Sequence, residues 1–213
     1  MIDALVAEAA ALQKALSGLP APEWERPTRC PPWTVSDLLG HVVQAVGRTP
    51  QMLAAPAPPR SATLVTAAGY YRPDERFSSS ATAGRIMSAQ EVAAGRSGAA
   101  VLAGFSATVA ETARSSRVAG PDRLVRTRHG DPMLLTEFLA TRVVETAVHG
   151  LDLADALDRP AWLTTEAAAV IEDLLLGPGR HAPSAERFIR AATGRGPDPE
   201  LLARLRPRRL TLG

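Results

Sequence analysis

Glu145 and His149, in the run Arg142-Val143-Val144-Glu145-Thr146-Ala147-Val148-His149-Gly150-Leu151-Asp152, are residue types that bind divalent metals. Four apart on an α-helix, their side chains lie one above the other on one face. A carboxylate and an imidazole held that way can share one cation, and three protein ligands leave a coordination position open for chemistry. His41, in Trp33-Thr34-Val35-Ser36-Asp37-Leu38-Leu39-Gly40-His41, is the candidate third ligand. Taken singly, the plain readings are a surface ion pair for Glu145/His149 and a satisfied core histidine for His41. Val143, Val144 and Val148 beside the pair argue for burial, where Glu and His without a partner would be costly and a cation would satisfy both. Asp152, one turn past His149, can orient that imidazole, act as a base at the open position, or sit on the helix surface.

The elements that must position these groups follow from periodicity and punctuation. Ile2, Leu5, Val6, Ala9, Leu12 and Leu16 recur at helical spacing and predict a helix over 3–17, ended by Gly18 and Pro20. After a Pro-rich connection, Thr34 is a natural N-cap with Asp37 as its capping-box partner, predicting a helix over 35–53 that carries His41 on its second turn. Residues 54–78 contain Pro56, Pro58 and Pro59 and read as a loop. Its Tyr70 and Tyr71, beside Arg72 and Arg76, either line a pocket or cap the bundle. A third helix is expected over 80–117, with Gly84, Gly95, Gly98 and Gly104 as positions that can bend or break it. Asp122–Pro132 reads as a polar connection, and a fourth helix over 134–157 carries Glu145, His149 and Asp152. Helices follow over 164–176, 184–192 and 199–205, and Leu210-Thr211-Leu212 reads as one short strand. The expected architecture is a mainly all-α four-helix bundle over residues 1–160 with a small helical extension, 161–213.

Composition limits the alternatives. The 213 residues are 46% hydrophobic and 4% aromatic, enough for one helical core. Of 24 basic residues only Lys14 is lysine, and with abundant Ala this points to a GC-rich bacterial genome. The formal net charge is only +2, and Arg204, Arg206, Arg208 and Arg209 read as a solvated tail, so neither a nucleic-acid nor a membrane partner is expected. Cys30 is the only cysteine, which excludes an intramolecular disulfide and reads as an inert thiol. No signal-peptide pattern or long apolar run is present, so a cytoplasmic monomer or homodimer is expected. His129 and His181 read as solvated loop histidines.

Two distant segments together resemble a known family: Trp24-Glu25-Arg26-Pro27-Thr28-Arg29-Cys30-Pro31-Pro32-Trp33 leading to His41, and Phe138 through Leu153. This pairing is similar to the mycothiol-dependent maleylpyruvate isomerases, within the wider DinB-like group of metal-binding four-helix bundles. The resemblance covers about residues 1–160. It implies that His41, Glu145 and His149 hold a divalent metal, zinc being usual in that family, and that Asp152 has a catalytic or supporting role. It also implies mycothiol as thiol cofactor, activated at the open metal position to attack a small electrophile in isomerisation or thiol transfer. The roughly 50 residues after the fourth helix are shorter than the C-terminal domain of the isomerase itself, leaving Arg187 or Arg190 as candidates for its basic residue. A metal- or small-molecule-binding module without turnover, and a thiol-independent cyclisation or rearrangement catalyst, are the other readings.

Overall fold

The computed structural model describes residues 1–75 and 78–208. Its helices are α1 (Ile2–Leu16), α2 (Ala21–Trp24), α3 (Val35–Ala54), α4 (Ala67–Tyr70), α5 (Ser79–Ala93), α6 (Gly98–Ala119), α7 (Leu135–Ala156), α8 (Thr165–Leu176), α9 (Ala185–Ala192) and α10 (Pro199–Leu205). Two short strands, β1 (Leu124–Arg126) and β2 (Pro132–Leu134), pair antiparallel with Leu124 opposite Leu134. A four-helix bundle is formed by α1, α3, α6 and α7, with α1 and α3 each packing on both α6 and α7. Helices α8 to α10 continue from α7: α8 packs on α1 and α7, α9 on α8, and α10 on α9.

The core is aliphatic, built from Leu5, Leu12, Leu38, Leu39, Val42, Val46, Phe105, Phe138, Val143, Val144 and Leu151, all essentially inaccessible to solvent. Burying each such side chain contributes about 1.5–3 kcal/mol relative to leaving it in water. Helix α7 is buried on nearly every side and still carries Thr141, Arg142, Thr146, His149 and Asp152. Buried polar groups of this kind require partners. Thr146 donates to the Arg142 carbonyl at 2.8 Å, and Arg142 Nη1 donates to the Ala45 carbonyl of α3 at 2.9 Å. The Arg142 guanidinium also lies 4.5 Å from the Phe138 ring centroid and 5.5 Å from that of Tyr70.

The start of α3 is the expected capping box. Asp37 N donates to Thr34 Oγ1 at 3.2 Å, and Thr34 N donates to Asp37 Oδ2 at 3.1 Å. Such a cap stabilises a helix by about 1 kcal/mol; here it also fixes the register that delivers His41.

Three expectations change. The helix over 80–117 is two helices, α5 and α6, bent by 107° at a break of four residues. Gly95 turns the chain at φ +69°, and Ser97 caps α6 through Ala100 N, so of the four glycines the break falls at Gly95 and Gly98. Gly98 must be glycine because a Cβ there would fall 1.9 Å from the Trp24 ring. The connection over 122–132 holds the β1–β2 hairpin, and α2 and α4 are short helices within segments read as loops. The strand expected at Leu210–Leu212, and Arg76, lie outside the described residues. No single helix is long and apolar enough to cross a membrane among the described residues.

Candidate metal centre

His41 comes from α3, and Glu145 and His149 from successive turns of α7, which packs directly on α3. One donor atom from each lies within 4.8 Å of the others. His41 Nε2 is 3.4 Å from Glu145 Oε2, and His149 Nε2 is 3.5 Å from the same oxygen. Ligands at zinc distances of about 2.0–2.2 Å in a tetrahedron are separated by about 3.4 Å along each edge. The two separations about Glu145 Oε2 therefore match the edges of such a shell, and the donor types are ones that zinc accepts.

Trp33 and Tyr71 enclose it. The Trp33 ring stacks on His41 with centroids 4.8 Å apart, and the rings of His41 and His149 meet edge to face at 5.0 Å. The Pro-rich connection brings Trp33 there: Thr28 N donates to the Trp33 carbonyl at 3.0 Å and Val35 N to the Arg26 carbonyl at 3.0 Å, folding residues 26–35 back on themselves. Tyr71 donates to the Thr141 carbonyl at 3.0 Å, with its hydroxyl 3.5 Å from Glu145 Oε1. Both tyrosines are buried and meet edge to face; Tyr71 borders the site through Glu145, while Tyr70 packs in the bundle against Tyr71 and Phe138.

Asp152 is fully buried, which removes the surface-acid reading. Its Oδ2 lies 2.9 Å from His149 Nδ1, so the Nδ1 proton is held and Nε2 is turned towards Glu145 and His41. Arg195 grips Asp152 with both prongs, Nε to Oδ1 at 2.9 Å and Nη2 to Oδ2 at 2.7 Å. Its third contact, Nη1 to the Thr193 carbonyl at 2.7 Å, braces the guanidinium. Arg187 and Arg190 do not reach the centre: Arg187 pairs with Asp198, and Arg190 with Asp155 and Glu186. Arg195 was missed because it lies beyond the last turn of α9. Its local signal is an arginine between two glycines, Gly194 taking φ +75° to turn the chain back.

Cys30 is half-buried, with Sγ 3.5 Å from Asp152 Oδ2, and so borders the centre instead of lying apart from it. Cys30, His149 and Asp152 form a second trio of potential donors within 4.8 Å. Arg195 already neutralises Asp152 there, so a cation at that trio would meet a fixed positive charge; the His41 trio is the better cation site. His129 and His181 stand elsewhere. His181 Nδ1 is 2.9 Å from the buried Glu172, and His129 Nε2 accepts from Arg128 Nε at 3.1 Å.

The protonation states follow from these contacts. Burial lowers the His41 pKa to about 4, only partly opposed by Glu145, so the ring is neutral at pH 7. Burial alone would raise Glu145, but its contacts with His149 and His41 and the charge of Arg142 hold it well below the usual carboxylate range. Burial likewise works against a charged His149, yet Asp152, Cys30 and Glu145 together hold its pKa well above the ordinary value. Asp152 is kept ionised, the effect of burial being outweighed by His149 and Arg195.

The fold and this convergence define a class: a DinB-like four-helix bundle with an inward-facing His/Glu/His centre. Residues 5–154 match the family described as mycothiol maleylpyruvate isomerase N-terminal domain, and the chain belongs to that family. Two solved structures resemble it. The crystal structure of the mycothiol-dependent maleylpyruvate isomerase shares 20% identity with a TM-score of 0.56, over 92% of this chain and 89% of that one. A histidine-to-alanine mutant of the mycothiol-dependent maleylpyruvate isomerase shares 18% identity with a TM-score of 0.58, over 92% of this chain and 88% of that one. At these identities the likeness is one of fold. A sequence search of curated proteins returns no match.

Proposed function

We propose that this protein is a metal-dependent enzyme that uses mycothiol to isomerise, or transfer the thiol to, a small electrophile, with His41, Glu145 and His149 holding a divalent metal, zinc by donor type. The observation that carries the reading is the spacing of the three donors, 3.4 Å and 3.5 Å about one carboxylate oxygen, close to tetrahedron edges. A divalent metal bound there would lower the pKa of a coordinating thiol, so that a thiolate is available at neutral pH.

The chain's own groups have separable tasks in this proposal. His41 is neutral and presents Nε2; Glu145 is ionised and brings the one negative charge of the trio. Asp152 acts on His149 as a positioning residue: it holds the Nδ1 proton at 2.9 Å and so leaves Nε2 as the ligand atom. Locked between His149 and Arg195, its carboxylate is a poor base, which favours orientation over proton abstraction as its role. Trp33 and Tyr71 keep water from two sides of the trio, and the buried Trp33 Nε1–H, with no acceptor among the described residues, is available to a bound ligand. The proposal also takes residues 1–160 as the metal-binding bundle and 161–213 as an extension that supplies Arg195. It further places the protein in the cytoplasm as a monomer or homodimer, without nucleic-acid or membrane partners.

Elemental analysis of the purified protein, together with the consumption of mycothiol in the presence of small electrophiles, tests the reading. About one zinc per chain and saturable thiol consumption are expected, with both lost in the His149→Ala variant. Stoichiometric ligand binding without turnover would replace the enzyme by a binding module, and unchanged activity of His149→Ala would refute the metal-dependent reading.

A further inference from the structure

A cavity separate from the trio lies where α7 begins. The first turn of α1, the last turn of α6 and the first turns of α7 surround about 350 Å³, a volume within the range of small-ligand sites. Its floor is buried, since Ser116, Leu135 and Leu139 are each 1% exposed, and Ile2 adds to the apolar lining. Its mouth is open to solvent, with the exposed Met1 and the exposed ion pair of Arg117 with Asp3 at 2.9 Å beside it. Leu135 precedes Glu145 by ten residues on α7, about 15 Å along the helix axis, so the metal centre lies well away.

Ser116 is the polar residue of that buried floor. A helical serine ordinarily spends its hydroxyl on the carbonyl of the preceding turn. On the same helix Ser106 donates to the Leu102 carbonyl at 3.1 Å and Ser115 to the Glu111 carbonyl at 2.8 Å. Ser116 Oγ makes no such bond and has no partner among the described residues. A buried hydroxyl left unpaired is costly, and this one borders the cavity, where a ligand can satisfy it. The amino ends of α1 and α7 open on the same space, and neither carries a capping side chain. At α7, Leu135 N is taken by the Arg123 carbonyl at 2.8 Å and the Glu137 carboxylate turns to Ala67 N at 2.6 Å, while Thr136 lines the cavity. The opposing carboxyl end of α6 is closed by Gly120 N on the Ser116 carbonyl at 3.1 Å. Arg117 and Asp3 neutralise each other, so the uncapped amino ends leave a partial positive charge that favours an anion.

We propose that this cavity is a second ligand site, which binds a small carboxylate with an apolar body, such as a short-chain aliphatic acid. The hydrocarbon rests on Ile2, Leu135 and Leu139, and the carboxylate accepts from Ser116 Oγ at the uncapped start of α7. The occupant is not the reacting molecule of the metal centre. The site needs no metal and stands whether or not the thiol chemistry proposed above is right.

Calorimetric titration of the metal-free full chain, with no tag placed before Met1, tests the inference with hexanoate, butyrate, acetate and hexan-1-ol. Hexanoate should bind saturably, one molecule per chain, and more tightly than hexan-1-ol. Affinity should rise about three- to fourfold per methylene from acetate to hexanoate. Ser116→Ala should weaken hexanoate about tenfold, with melting temperature no lower than wild type because an unpaired hydroxyl is removed. Zinc loading should leave hexanoate affinity unchanged. A carboxylate that binds only the zinc-loaded protein would be a metal ligand and would overturn the cavity site. No saturable binding to the metal-free chain, full affinity in Ser116→Ala, or an alcohol that binds as tightly as the acid would overturn it too. Val118, on the last turn of α6, is 82% exposed. A concentration-dependent dimer that excludes hexanoate and is broken by Val118→Glu would show a second copy covering the cavity, against the small-molecule assignment. Failure of the zinc reading would show as a chain without metal and would leave all these outcomes as stated.

Discussion

Replacing Asp152 by Asn changes one atom type in a fully buried carboxylate bonded to both His149 and Arg195. The carboxylate engages His149 at 2.9 Å and Arg195 at 2.9 Å and 2.7 Å, with Arg29 at 3.7 Å. Asn keeps the shape and one acceptor oxygen, so two of three charge-assisted bonds are lost or reversed, and the Arg195 side chain, 7% exposed, loses its counter-charge. Breaking such a buried pair from one side costs about 3–5 kcal/mol. For a chain of this size each kcal/mol moves Tm by about 2–4 °C, so Tm should fall by roughly 6–20 °C. The loss should also depend on pH. The folded Asp152 is held below its unfolded value of about 3.9, so its contribution is present above that pH and is lost as acid titrates it. The wild type should therefore close the gap to Asp152→Asn below about pH 4. Because the amide no longer fixes the His149 tautomer, zinc affinity should drop about 10- to 100-fold while saturating zinc still fills the site. Thermal melting monitored by circular dichroism and competition with a chromophoric chelator measure the two effects. A Tm within about 2 °C of wild type at pH 7, with unchanged zinc affinity, would refute the assignment of Asp152 as the residue that orients His149.

Zinc affinity itself should rise about tenfold per pH unit between pH 5.5 and 7.5. His41 is already neutral and Glu145 already ionised, while His149 alone must give up a proton, so the slope in competition titrations should be close to one; a slope near zero or two contradicts these protonation states. His41→Ala and Glu145→Gln should each lower zinc affinity by about tenfold or more, as the chelator assay would show. Gly40→Ala should destabilise by about 1–3 kcal/mol, because its Cβ would fall 2.6 Å from the Ala89 carbonyl of α5 and push that helix off α3; denaturant unfolding with no change in midpoint would deny the close approach. Glu8→Ala should cost about 1–3 kcal/mol in the same assay, since the Thr164 amide and hydroxyl, at 2.8 Å and 2.6 Å from Glu8 Oε2, lose their buried acceptor.

The bundle was legible where one physical signal acted alone. Apolar spacing marked α1, and the Thr34/Asp37 pair marked the start of α3 to the residue, because a capping box is a local arrangement needing no tertiary partner. The break between α5 and α6 was legible only as a set of four glycines. Which of them bends the chain is decided by Trp24, whose ring occupies the space beside Gly98 and comes from another part of the chain. The β1–β2 hairpin was hidden for a related reason. Each strand is three residues long, and β2 begins with Pro132, too little for a period of two to stand out from a polar connection.

The candidate centre divides along the same line. Glu145, His149 and Asp152 share a helix, so their common face followed from spacing; His41, from another helix, needed the family resemblance to be joined to them. Arg195 had neither aid. It sits in a turn, 43 residues from Asp152, and its place is set by α9 packing against α7 and by Gly194 at positive φ. Two arginines on α9 itself looked better placed because a helix advertises direction, yet both spend their charge on Asp155, Glu186 and Asp198. The residue that reaches inward is the one whose backbone is turned by glycine. Among the described residues, the short extension after α7 therefore reaches the centre through one guanidinium, that of Arg195, and it does so by holding Asp152. On this geometry Arg195→Met should reproduce the loss of stability and zinc affinity of Asp152→Asn, and the double variant should be little worse than either, since both changes dismantle one pair. Additive losses in that cycle would mean that Arg195 acts on something other than Asp152.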